Sequence, residues 1–131
     1  MTKRIILATL AVFALWSALD FVIHGLILGE TYKATAQIWR PMAEMKMGLI
    51  RIVTLISAVV FVCIYAGFVS NKTVCRAIQY GVLFGIGAGV SMGYGTYAVL
   101  PMPYKIALVW FLGTVVETAL GGWVLGLIVK T

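Results

Sequence analysis

Apolar residues run almost unbroken through four stretches of this chain, and the polar positions gather between them. The stretches are residues 5–28, 48–69, 77–100 and 105–129. Each is near the ~20 residues that an α-helix needs to cross a ~30 Å hydrocarbon core. Backbone groups in lipid must bond within their own segment, so the stretches are expected as helices. A β-barrel would need short alternating segments, which the pattern lacks. The connections at 70–76 and at Pro101-Met102-Pro103 are short, the prolines disfavouring helix at the residues before them. Short connections join antiparallel neighbours. The expected fold is therefore an all-α integral membrane protein, a four-transmembrane-helix up-down bundle, with residues 1–131 as one domain.

Only the connection between the first two stretches, 29–47, is long enough to hold structure. Tyr32, Ala36, Trp39 and Ala43 fall on one helical stripe, with Lys33, Gln37, Arg40 and Glu44 on the next. Such a segment suits the interface plane, with Tyr32 and Trp39 at headgroup level and Arg40 beside them. It serves either as a membrane-lying linker or as a lid over a ligand. Pro41 interrupts it, and because proline fits a first helical turn, the second helix is expected to start at either 41 or 48.

Composition supports this picture. The chain is 63% hydrophobic and 11% charged, against about 45–50% and about 25% for soluble domains. The net charge of +6 comes from basic residues at the ends of apolar runs, where they anchor helices. They form no aromatic-interleaved basic patch of the kind that binds nucleic acid. Lys3, Arg4, Lys72, Arg76 and Lys130 fall on one side; Lys33, Arg40, Lys46, Arg51 and Lys105, offset by Glu30 and Glu44, fall on the other. The counts are equal, and the Lys3-Arg4 pair, which enters first, points to cytoplasmic termini. The first apolar run is too long for a signal-peptide core and lacks a cleavage site, so it is expected as a retained helix. Cys63 and Cys75 form no metal-type or disulfide pattern, and Cys63 is expected as a small packing residue.

In the third stretch Gly81, Gly85, Gly89 and Gly93 recur at every fourth position. Small residues at this spacing let two helix backbones approach closely. The partner helix belongs either to this chain or to another one.

A few polar side chains stand at membrane depth, where a charge needs a partner or a task. Asp20 and His24 are four residues apart on one helical face, with Trp16 and Ser17 continuing it. Glu117 lies ~18 Å along the fourth helix from Lys105, close to the depth of Asp20. Arg51, near the end of the second helix, has the reach to turn inward. Asp20, His24, Arg51 and Glu117, with Glu30 at the mouth, form the expected intramembrane polar cluster. Four roles compete for it: an ion-pair network fixing helix register, a proton relay, a metal site built on His24, and a docking surface for a larger assembly. Met42, Met45 and Met47 offer thioethers suited to Cu(I), or else fill gaps. No catalytic pattern and no cofactor motif is present, and one histidine excludes a bis-histidine haem within one chain.

The set Leu19-Asp20-Phe21, His24-Gly25, Tyr32, Trp39-Arg40-Pro41, Tyr97-Ala98-Val99-Leu100-Pro101 and Glu117 resembles an uncharacterised family of small bacterial four-helix membrane proteins. The resemblance spans nearly the whole chain and implies the fold but no activity. From the residues, the expected role is a non-enzymatic accessory subunit without a cofactor. Its expected partners are the lipid bilayer and, through the glycine face, its own copies or a larger membrane complex. The alternative is a minimal proton-coupled transporter or channel lined by Asp20, His24 and Glu117. A copper-binding role ranks third.

Overall fold

The computed structural model describes all residues, 1–131. It contains no strand. Four helices are long and apolar enough to cross a membrane: α1 (Thr2–Ile27), α3 (Met47–Phe68), α4 (Val74–Val99) and α5 (Tyr104–Ile128). A short α2 (Gly29–Ala34) follows α1 directly.

The boundaries depart from the hydropathy pattern where polar chemistry intervenes. α4 begins at Val74 because Thr73 caps it, its Oγ1 accepting from the Arg76 amide at 3.2 Å. An N-cap of this kind satisfies one of the amides that a helix start leaves unpaired. α3 takes the later of its two expected starts. Pro41 opens only a 3₁₀ turn, Met42–Glu44, which Met45 ends in an extended conformation at ψ 132°. The stripe expected along 29–47 is likewise broken, at Thr35 (φ −119°, ψ 31°) and again at Trp39 (φ −106°, ψ 158°).

The tightest pairing is α4 on α5. A Cβ added at Gly81 would collide with the Thr118 carbonyl, and one at Gly85 with the Thr118 hydroxyl. At Gly89 it would stand 3.0 Å from the Phe111 carbonyl oxygen, and at Gly93 2.6 Å from that of Ala107. α5 reciprocates with Gly122 against the Ala77 carbonyl and Gly126 against Val74. The glycine face of α4 is thus filled by a helix of the same chain. Two backbones this close gain dispersion and Cα–H···O contacts along their whole length.

α1 packs on both α5 and α3. One core gathers Ala8, Val12 and Trp16 of α1, Ala58, Phe61, Val62 and Tyr65 of α3, Ala77 of α4, and Leu125 of α5 with Val129 just after it. Its aromatic centre sets Trp16 tilted against Phe61 at 5.1 Å and Phe61 tilted against Tyr80 at 4.8 Å. At the other end a smaller core joins Ile23, Leu28, Met102, Ile106 and Ala107, with Tyr32, Trp39 and Trp110 against it. Between residues 47 and 57 only Thr54 of α3 is not exposed, so the first half of that helix lies bare. Cys63 and Cys75 are free and exposed rather than packed.

Candidate functional site

The last turns of α1, Phe21–Ile27, are π-helical, closed by the Leu28 amide bonding the Ile23 carbonyl at 2.9 Å. This wider turn is uncommon overall and frequent at functional sites. Here it carries His24 directly after Asp20. Ile23 fills the space that Gly113 leaves on α5, which seats α1 against α5 at this level.

His24 points its Nδ1 at the Tyr32 hydroxyl, 2.7 Å away, and the Trp110 Nε1–H donates to the same hydroxyl at 2.7 Å. An indole N–H is a donor only. It fills one acceptor position on the phenol oxygen, which leaves the phenol hydrogen available to His24 Nδ1; in that tautomer the imidazole proton sits on Nε2. Nε2 faces Asp20 Oδ1 at 3.9 Å. That separation exceeds hydrogen-bond length, and the contact is an ion pair only when the imidazole is protonated. Burial pushes the Tyr32 phenol up to about 12, against the opposing pull of the Trp110 N–H. Trp39 closes the end of the row. Its ring meets Tyr32 edge-on at 5.5 Å and Trp110 at 6.0 Å, and its Nε1–H donates to Thr35 Oγ1 at 2.9 Å.

Deeper along the α1–α5 seam, the neighbour of the Glu117 carboxyl is the carboxyl of Asp20. No lysine or arginine pairs with either, because the only contacts within ion-pair distance are His24–Asp20 and Lys33–Glu30. Glu117 Oε1 and Ser17 Oγ are buried and without a hydrogen-bond partner. Such groups cost about 1–3 kcal/mol each. One turn further, the Trp16 Nε1–H donates to the Glu117 backbone carbonyl at 2.8 Å, in space that Gly121 provides. Trp16 and Phe61 then cap the row with the large apolar core.

The polar groups therefore form a line, Tyr32, His24, Asp20 and Glu117, running from one end of the bundle to mid-helix and stopping there. Two expected members stand elsewhere. Arg51 lies on the bare half of α3, exposed and unpaired. Glu30 is 90% exposed and pairs with Lys33 at 3.4 Å, so it does not line the mouth of the row. Arg40, expected in the interfacial loop, faces outward beside Met45 and Lys46 in a groove that shares Trp39 with the row. Met42 and Met47 are exposed, Met45 lines that same groove, and His24 bonds Tyr32 instead of a thioether. No group of three or more His, Cys, Asp or Glu side chains is arranged to hold a metal. Tyr32, expected as an interfacial anchor, also links His24 to α5. Trp110 was legible only in retrospect: it stands seven residues before Glu117, two helical turns along the same face.

No protein-family model, curated protein or solved structure matches this chain.

Proposed function

We propose that the chain is a multi-pass protein of the bacterial inner membrane, with its spans running up and down and both termini cytoplasmic. In this reading it works as a minimal proton-coupled transporter. Asp20 and Glu117 hold the proton between them, and Tyr32 and His24 pass it to and from the nearer surface. The supporting observation is the Asp20–Glu117 carboxyl pair, which faces no cation while Glu117 Oε1 is buried without a partner. Two adjacent carboxyls at membrane depth are costly as two charges and stable when they share a proton. Tyr32 and His24 bring exchangeable hydrogens toward the pair, with a 3.9 Å step from His24 Nε2 to Asp20 Oδ1 that a small side-chain shift has to close. The apolar cap of Trp16 and Phe61 blocks simple leakage, as coupling requires.

The test uses the purified chain in liposomes with an internal pH dye and an imposed potassium diffusion potential. With a co-substrate supplied, wild type should move protons faster than empty liposomes, and Asp20→Asn and Glu117→Gln should each return the rate to the empty level while helicity persists. Wild-type liposomes no more permeable than empty ones, with and without candidate co-substrates, would reject the reading.

The accessory-subunit role is supported by a different surface from the glycine face, which α5 occupies. It is the bare first half of α3, residues 47–57. Native mass measurement after gentle extraction separates the two roles. An assembly broken by Ile52→Lys favours the subunit, and a lone chain that still moves protons favours the transporter.

A further inference from the structure

Where the long connection meets α3, a groove of about 450 Å³ is lined by Trp39, Arg40, Met45, Lys46, Leu49 and Ile50. Its two cations have no carboxylate partner. Around this end of the bundle Lys33 is paired with Glu30, and Arg40, Lys46, Arg51 and Lys105 face only Glu44. Glu44 is exposed and does not line the groove. The uncompensated charge is positive.

The groove is graded in polarity. Arg40 and Lys46 precede the helix, whereas Leu49 and Ile50 lie in its first turn and continue into the exposed apolar face of Ile52, Val53 and Ile56. Trp39 forms one wall and is held in place by its bond to Thr35. Tryptophan is favoured at the depth of lipid headgroups, and basic side chains there attract anionic lipid.

We propose that this groove binds one anionic phospholipid. The phosphate lies between Arg40 and Lys46, and an acyl chain lies along Leu49, Ile50 and the bare half of α3. A free phosphate would use the two cations and leave the apolar floor unused. A zwitterionic lipid would bring an ammonium to a site that already carries excess positive charge. The occupant is therefore a lipid whose headgroup has a phosphodiester and no compensating amine.

The experiment titrates the delipidated full chain in neutral detergent with phosphatidylglycerol or phosphatidylcholine of matched acyl chains, read by native mass spectrometry. Phosphatidylglycerol should bind in preference. Arg40→Gln and Lys46→Gln should each weaken it about fivefold, as expected for one basic residue near a lipid surface. Lys105→Gln removes the same charge outside the groove and should leave binding at the wild-type level. Wild type binding both lipids equally would overturn the proposal and needs no variant that must fold. So would Arg40→Gln/Lys46→Gln protein retaining wild-type affinity, or inorganic phosphate fully displacing the lipid.

Discussion

Replacing Tyr32 by phenylalanine removes a single oxygen that joins three elements. That oxygen takes part in two hydrogen bonds of 2.7 Å, with His24 of α1 and Trp110 of α5. In aqueous proteins each bond is worth about 0.5–1.5 kcal/mol net. Hydrogen bonds between membrane helices average about 0.6 kcal/mol and reach about 1.7. The partners left behind are half-buried and have no replacement, so the expected loss for Tyr32→Phe is about 1–3 kcal/mol. A single variant does not separate the two bonds. A double-mutant cycle with Trp110→Phe does, because the ring packing that the Trp110 substitution removes cancels between the two sides of the cycle. The sum of the single losses should exceed the double by about 0.5–1.5 kcal/mol, the value of the Tyr32–Trp110 bond. Unfolding in mixed micelles with increasing denaturing detergent, followed by far-ultraviolet circular dichroism, avoids the change in fluorescence that loss of Trp110 brings. A coupling within about 0.3 kcal/mol of zero would mean that the phenol does not bridge the helices, and the proton route built on it would fall too.

Two further outcomes follow from the same geometry. Gly81→Ala places a methyl against the Thr118 carbonyl, whereas Gly87→Ala on the same helix meets nothing within 4 Å. The first should destabilise by about 1–3 kcal/mol, and the second should be neutral or gain some of the ~1 kcal/mol of helix propensity; equal melting of the two variants would refute the α4–α5 seam. For Tyr32, the phenol held at about 12 in the folded chain returns to about 10 when unfolded. Its contribution is fully present below pH ~10 and lost as pH rises toward ~12, where the unfolded chain has released the proton and the folded one has not. Unfolding midpoints across that window should fall less steeply in Tyr32→Phe; superimposable curves would show the phenol to be solvated.

The apolar stretches were legible in the sequence because a helix in lipid must be long and uniformly apolar, and that demand erases ambiguity. The glycine spacing was equally plain, but a periodic face does not say which helix fills it. The answer came from Gly122 and Gly126 of α5, small residues that meet α4 in return. The start of α4 was missed because hydropathy weighs Thr73 as a polar loop residue, whereas its hydroxyl acts as a cap. Asp20, His24 and Glu117 stood out as polar groups among apolar ones. Tyr32 did not, since its place depends on the π-helical turns at Phe21–Ile27 and on breaks at Thr35 and Trp39 that no single periodicity encodes. Arg51 shows the opposite error, for reach along one helix says nothing about whether that helix leans inward.

The close approach of α4 and α5 also limits how this sequence can diverge. Positions 81, 85, 89, 93, 122 and 126 have no room for a side chain without moving backbone or a neighbouring side chain. A homologue that keeps the fold is therefore confined to glycine or, where the neighbour can shift, alanine at these sites. The exposed face of α3 needs only to stay apolar and is free to drift. Overall identity in such a protein would fall quickly, while a sparse signature endured: an Asp and a His four apart near the end of the first helix, the spaced glycines of α4, and a Trp seven residues before a Glu on α5. Common ancestry, where it exists, would be found in that spacing.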